Sequence, residues 1–244
     1  MQKSNKKKDV LGDYKASKGT NATRTIQEVL PQKLEQLSKY IESEPLLQKP
    51  FREVRCTLGD LDVKGGSSDA MDTNPRKKRK LDDMAKETSA PRSAASVPSN
   101  GIIVQLLVVL KKELQQYIDN SNAIKTWITL NIPRIEDGNN FGVGIQEEAL
   151  NDLGRAEDDA FTSLDSITKY FLTRAKFVTK LLKYPGVEDY RQCINELDEK
   201  EYIDIRFAFK DLRNNYAIVL DRITKNLEKI SKPRGDDDRR NALY

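Results

Sequence analysis

The chain of 244 residues contains no histidine and only two cysteines. Histidine is the most common general base and a common zinc ligand, so its absence removes the usual routes to acid–base catalysis and zinc binding. Cys56 and Cys193 lie far apart, which excludes a cysteine-rich metal cluster. Two isolated cysteines and no apolar leader predict a reduced, cytosolic or nuclear chain. No stretch approaches the ~20 apolar residues of a membrane span, so we expect no membrane partner.

The charge is divided unevenly along the chain. Residues 1–98 contain 20 Lys and Arg against 14 Asp and Glu, whereas residues 99–244 contain 22 against 24, so the net charge of +4 comes from the first part. A nearly neutral second part argues against a specific nucleic-acid surface. A composition of 37% hydrophobic and 33% charged residues is typical of long amphipathic helices accompanied by a disordered segment.

The first hundred residues divide into three segments. Residues 1–20 are basic and polar, which predicts a disordered arm. Residues 21–47 carry apolar side chains three or four positions apart, which predicts the first helix, with Pro31 kinking or restarting it and Pro45 ending it. Residues 48–100 have no periodic apolar face and contain Gly65-Gly66-Ser67-Ser68, which predicts a disordered linker.

A compact basic cluster lies inside this linker. It follows Pro75 and consists of Arg76, Lys77, Lys78, Arg79 and Lys80. Consecutive basic residues in an exposed segment are recognised by the acidic pockets of nuclear import receptors. The cluster therefore predicts import into the nucleus, with the cytoplasm as a second location; the alternative is a charge run that only solvates the linker.

The second part of the chain predicts three long helices, over residues 101–131, 145–183 and 187–231. Apolar residues recur in each at helical spacing, and Pro185-Gly186 leaves only a short turn between the last two, which must be antiparallel. The fold class is therefore all-α: an up-down four-helix bundle. Ile203, Phe207 and Phe209 fall off the main apolar stripe, which favours side-by-side association of bundles over a monomer with exposed apolar residues.

The connection over residues 132–143 contains charged, amide and aromatic side chains that a helix–helix link does not require. Pro133 should stop the preceding helix, and Asp137 to Asn140 favour a turn. We predict contact with a partner; the alternative is an ordinary turn. The candidate contact residues are Arg134, Ile135, Glu136, Asp137, Gly138, Asn139, Asn140, Phe141 and Gly142.

The polar segment over residues 232–244 ends in an apolar pair with a free carboxylate. A carboxylate on a flexible tail suits capture by a lysine and backbone donors in a partner's pocket. The alternative is a frayed end. The candidate docking residues are Asn241, Ala242, Leu243 and Tyr244.

Several strings in a fixed order connect these features to a known family. They are I-P-R-I-E-D-G-N-N-F-G-V from Ile132, T-R-A-K-F-V-T-K-L-L-K-Y-P-G-V-E-D-Y-R from Thr173, E-L-D-E-K-E-Y-I from Glu196 and L-R-N-N-Y from Leu212. From Trp127 to Lys232 the chain resembles the 11S (REG) proteasome activators, and its sequence is most similar to that of the nuclear gamma type. The gamma type carries a comparable basic cluster in its linker.

This resemblance implies how the predicted features would act. In the 11S family seven bundles form a ring, the C-terminal tails enter pockets between the α subunits of the core (20S) proteasome, and the loops open its gate without ATP. The gamma type implies a homo-oligomer, a heptamer of this chain alone. The present tail departs from the family by its Asp236-Asp237-Asp238-Arg239-Arg240 insert, which makes it longer.

Two other functions compete with activation. A nuclear helical scaffold without a proteasome role fits the helices and the basic cluster equally well, and only the loop and the tail argue against it. An enzyme would need a carboxylate or lysine as its base, and Asp158-Asp159 and Glu147-Glu148 fall on predicted helix surfaces. Gly138 to Gly144 lacks the spacing of a phosphate-binding loop. We therefore predict a regulator of a peptidase complex, with no catalytic residues, cofactor or metal.

Overall fold

The computed structural model describes residues 3–55, 97–136 and 138–234, with side chains from residue 10 onward. These residues form six α-helices, which we label α1 to α6, and contain no β-strand. The predicted all-α bundle is confirmed. The helices are α1 Lys3–Arg24, α2 Leu30–Ser43, α3 Phe51–Val54, α4 Gly101–Leu130, α5 Phe141–Lys183 and α6 Asp189–Ser231. Among them, none combines the length and apolarity of a membrane span.

A widened turn joins α1 to α2 in one continuous helical rod. Thr25–Val29 is π-helical, and the Leu30 N–H donates to the Thr25 carbonyl five residues earlier. Pro31 follows directly; a proline cannot donate its own backbone hydrogen bond, and its ring crowds the carbonyl four residues before it. The π-turn accommodates that proline without interrupting the rod.

The N-terminal segment differs from the prediction of a disordered arm, because α1 begins at Lys3. Ala22 and Ile26 are buried, and Gly19 lies next to the Trp127 ring of α4. Once these contacts fix the helix, adding further turns costs little, so the exposed residues before them extend it. Their polar sequence has no apolar period from which this extension could be predicted.

The predicted linker also begins later than expected. Leu47 and Val54 are buried, and α3 packs against α6, so residues 48–55 belong to the bundle. Residues 56–96, with the cluster Arg76–Lys80, lie outside the described residues.

The core of the bundle is a single apolar cluster to which all six helices contribute. At its centre the rings of Tyr117 and Tyr216 meet edge to face at 4.8 Å between centroids. Phe209, expected on an outer face, is fully buried against Tyr40, because it continues the stripe of Tyr202 and Ile205. Phe207 is exposed, as expected.

A buried polar network ties α3 and the start of α4 to the α5–α6 pair. Asp198, fully buried, accepts from Arg174 Nε at 3.0 Å and from the Tyr170 hydroxyl at 2.9 Å through one oxygen. Its other oxygen accepts from Asn100 Nδ2 at 3.0 Å, which also donates to the Val54 carbonyl at 2.6 Å. Burial, with Asp198 beside it, raises the pKa of Tyr170, which keeps the phenol a donor.

Asp198→Ala should lower the free energy of unfolding by about 3–5 kcal/mol, because it leaves the Arg174 guanidinium buried without its counter-ion. The matched control is Asp221→Ala, which removes an exposed carboxylate paired with Lys225 at 2.6 Å. That control should cost less than about 1 kcal/mol. Urea denaturation at pH 7 measures both values, and equal losses would contradict a structural role for the buried network.

Candidate functional site

The loop after α4 and the end of α6 lie at the same end of the bundle. α4 and α6 both run toward this end, and α5 begins there and runs away from it. We call this region, residues 131–146 together with residues 230–234, the loop end. It contains every described residue of the connection over residues 132–143.

Two asparagines start α5 earlier than the sequence predicted. The Phe141 N–H donates to Asn139 Oδ1 at 3.1 Å, and the Gly144 N–H donates to the Asn140 carbonyl at 3.0 Å. Free N–H groups at a helix start need such acceptors. The predicted loop over residues 132–143 therefore ends at Asn140, and Phe141, Gly142 and Val143 form the first turn of α5.

Gly138 sets the course of the loop. Its φ of +130° lies in a region that side-chain-bearing residues rarely adopt. Its neighbour Asp137 lies outside the described residues. A glycine at this point lets the chain enter the Asn139–Asn140 turn.

The loop presents apolar side chains to solvent. Ile135 is fully exposed and Phe141 is 69% exposed, and the basic Arg134 beside them is also exposed. Exposed apolar groups that share one small region mark contact sites for other molecules.

Arg234 joins the end of α6 to this loop. Its Nη1 donates to Glu136 Oε2 at 2.9 Å, and its Nη2 donates to Asn140 Oδ1 at 3.0 Å and to the Glu136 carbonyl at 3.4 Å. A guanidinium with several fixed partners imposes an orientation that a single surface ion pair would not. The last described residue of the chain therefore holds the loop from both of its sides.

Backbone contact joins the same two segments more closely. A Cβ at Gly142 would lie 2.6 Å from the Cα of Pro233 and still closer to the Pro233 carbonyl oxygen. Both Pro233 atoms are backbone atoms, which cannot rotate away. The first turn of α5 can therefore lie against Pro233 only with glycine at position 142.

Gln146 connects the ends of α4 and α6. Its side chain is fully buried, and Nε2 donates to the Ile230 carbonyl at 2.7 Å and to the Asn131 carbonyl at 3.4 Å. The last carbonyls of a helix have no partner within it, so this amide satisfies one from each helix. The sequence prediction did not include Gln146 or Arg234. The available signal was a polar residue one turn after Gly142, on the buried side of α5.

Only some of the predicted site residues lie in the part of the chain that the structure describes. Arg134, Ile135, Glu136, Gly138, Asn139, Asn140, Phe141 and Gly142 lie together at the loop end. The predicted docking residues Asn241, Ala242, Leu243 and Tyr244 lie outside the described residues. The described chain stops at Arg234, in contact with the loop.

The architecture is that of a long-helix bundle with the loop and the exit of the C-terminal segment at one end. Residues 96–240 match the family described as "Proteasome activator PA28, C-terminal". The chain is 39% identical over 228 residues to Proteasome activator complex subunit 3 of Gallus gallus, and the match covers 89% of each chain. The chain therefore belongs to the PA28 family of proteasome activators.

Solved structures share this fold. The 11S subunit of the Plasmodium falciparum proteasome, PA28, superposes with a TM-score of 0.70 at 35% identity, covering 94% of this chain and 95% of that one. A chain in an archaebacterial 20S proteasome–PA26 complex superposes with a TM-score of 0.63 at 15% identity, covering 88% of this chain and 90% of that one. The second likeness shows the fold alone.

Gly142 and Gly144, two residues apart in the first turn of α5, provide a matched test of the close approach. Gly142→Ala should lower the free energy of unfolding by about 1–3 kcal/mol, because the new methyl group meets the Pro233 backbone. Gly144 has open space around it, and Gly144→Ala should raise that free energy by about 0.5–1 kcal/mol through helix propensity. Thermal and urea unfolding measure both changes, and two shifts of the same sign would contradict the packing described.

Proposed function

We propose that the protein is an ATP-independent activator of the core (20S) proteasome and acts as a regulator of that peptidase complex. The observation that carries the proposal is the contact of Arg234 with Glu136 and Asn140, which brings the predicted gate-opening loop and the start of the predicted docking tail to one end. Family membership adds independent support.

Docking is assigned to the tail. The terminal carboxylate after Leu243-Tyr244 binds in pockets of the α-subunit ring, where a lysine and backbone donors recognise it. One short tail binds weakly. Several tails on one ring bind together, because each docked tail raises the effective concentration of the others.

Gate opening is assigned to the loop. The proteasome gate has a closed and an open arrangement, and an activator shifts that equilibrium only by contacting the open arrangement better. The exposed Arg134, Ile135 and Phe141 are available for such contacts. Since Arg234 hydrogen-bonds to the loop, a docked tail also sets the position of the loop over the gate.

The active form is proposed to be a ring of identical copies, a heptamer as in the 11S family. Exposed apolar side chains halfway along the bundle, such as Phe161 and Phe207, support lateral contact between copies. The cluster Arg76–Lys80 is proposed to bind a nuclear import receptor, so that the protein acts in the nucleus.

Removal of Leu243 and Tyr244 should abolish stimulation of the core proteasome. Latent core proteasome is mixed with the full chain or the truncated chain, and cleavage of short fluorogenic peptides is followed without ATP. We expect strong stimulation by the full chain and none by the truncated one, because each tail loses its apolar pair and its new terminal carboxylate, on Ala242, lies two residues short of the pocket. Absence of stimulation by the assembled full chain, across several core proteasomes, would contradict the proposed function.

Gly138→Val and Asn140→Trp should separate docking from activation. Valine is strained at a φ of +130°, and tryptophan displaces the Arg234 contact, so the loop changes while the tail remains. Binding measured by co-sedimentation should persist while peptide hydrolysis falls to the latent rate. Gly186→Val, in the open turn at the opposite end, serves as the control and should activate normally. Full stimulation by the loop variants would show that the loop has been wrongly assigned.

A further inference from the structure

Two pairs of exposed apolar side chains lie on different faces of the bundle. Phe161 and Leu172 of α5 are 51% and 58% exposed, and Phe207 and Ile218 of α6 are 56% and 55% exposed. The members of each pair are eleven residues apart, about 16 Å along one side of a helix. The bundle therefore has two separate lateral apolar surfaces of similar length.

The first surface, which we call the knob face, is formed by α4 and α5. Besides Phe161 and Leu172 it includes the exposed Val108 and Lys111 of α4. The Lys111 ammonium lies 5.9 Å from the centre of the Phe171 ring. This face therefore combines apolar side chains with a positive charge.

The second surface is an open groove between α5 and α6, which we call the acidic groove. It consists of two adjoining cavities of about 560 and 310 Å³ that share Thr162, Ser163, Ala208 and Asp211. Apolar side chains of α4, among them Leu110 and Leu114, line its interior. Four carboxyl groups line it as well, those of Asp159, Glu201, Asp204 and Asp211.

Glu201 makes this groove suited to a cation. It is only 8% exposed, and among the described side chains no basic group lies within ion-pair distance of it. Burial, and after it the nearby carboxylate of Asp204, raises its pKa to about 7; Lys200 opposes this shift, and Asp198 adds to it by less. A basic side chain entering the groove would offset the cost of ionising this carboxyl group.

The knob face and the acidic groove lie at the same height along the bundle. Lys111 of α4 is opposite Phe171, and Arg174 of α5 is opposite Asp198. Phe171 is three residues before Arg174, and Glu201 is three residues after Asp198. Because α5 and α6 are antiparallel, Phe171 and Glu201 therefore stand at the same height along the bundle. Lys111 is therefore level with Glu201.

The aromatic knob is matched in the same way. Phe161 is ten residues before Phe171 on α5, and Asp211 is ten residues after Glu201 on α6. Phe161 is therefore level with Asp211, which lines both cavities. That height falls between Phe207 and Ile218, where the groove opens. On α5, Phe161 and the groove-lining Ser163 are two residues apart and point about 200° apart, so the two surfaces face different neighbours.

We propose that the knob face of one copy inserts Phe161 and Lys111 into the acidic groove of the next copy, next to Asp211 and Glu201. Two different surfaces at equal height on opposite flanks make a head-to-tail contact, and such contacts close into a ring by rotation alone. The inference rests on the proposed ring and specifies the surfaces that form it.

Phe161→Asp and Ile218→Asp should each weaken association between copies at least about 30-fold, the effect of removing a central interface anchor. Sedimentation velocity of the full chain measures this as a shift from the ring to the monomer. The control is Val187→Asp at the α5–α6 turn, which is 43% exposed and should assemble normally. Circular dichroism checks that each variant is helical.

A charge exchange tests the same contact without removing apolar surface. Asp204 lies one turn from Glu201 in the same cavity, and within its own copy it pairs with Lys200 at 2.8 Å. Lys111→Glu and Asp204→Lys should each impair assembly, and the double variant should restore it, because opposite charges then meet again across the interface. Normal assembly by the Phe161 and Ile218 variants, or no rescue in the double variant, would overturn the proposed pairing of surfaces. A wild-type chain that stays monomeric would overturn the pairing and the ring together.

Discussion

The close approach of Pro233 to Gly142 is the contact on which the loop end depends. A side chain at position 142 would collide with the Pro233 backbone, so only glycine lets the segment after α6 lie against the first turn of α5. With these segments in contact, Gln146 reaches the carbonyls of both α4 and α6, and Arg234 reaches the loop. The loop and the start of the C-terminal segment are thereby held as one unit.

The bundle is fixed at two levels and open between them. Toward the other end, Asp198 gathers Arg174, Tyr170 and Asn100 into a buried network, so the chain is fixed where it leaves α3 and where it enters α4. Between this network and the loop end, α5 and α6 leave the acidic groove. This arrangement gives a rigid end for contacting a large partner and lateral surfaces for contacting other copies.

The long helices were predictable because their boundaries are local. Pro133 and Pro185-Gly186 mark them in the sequence, and apolar residues follow the helical period between them. The start of α5 was placed too late, since its first turn depends on the Asn139 side chain accepting a hydrogen bond from the Phe141 N–H. The extension of α1 to Lys3 was missed because these exposed turns continue a helix that is fixed by later buried residues, and their own sequence has no periodic apolar pattern.

The candidate site was predictable in composition but not in construction. Its loop residues stand out in the sequence, whereas Gln146 and Arg234 gain their roles from partners 84 to 98 residues away. The resemblance to the 11S activators supplied the functional meaning that composition alone left open. No local pattern could have revealed that glycine is required at position 142, since that requirement comes from Pro233.

Hydrogen–deuterium exchange of the full chain, with and without latent core proteasome, tests the central claim most directly. The account places the partner at the loop end, so amides of residues 132–144 should gain protection on mixing. Amides of the α5–α6 turn, residues 184–190, should exchange as before. Protection of that turn with an unchanged loop would contradict the account, because the partner would then bind the opposite end of the bundle.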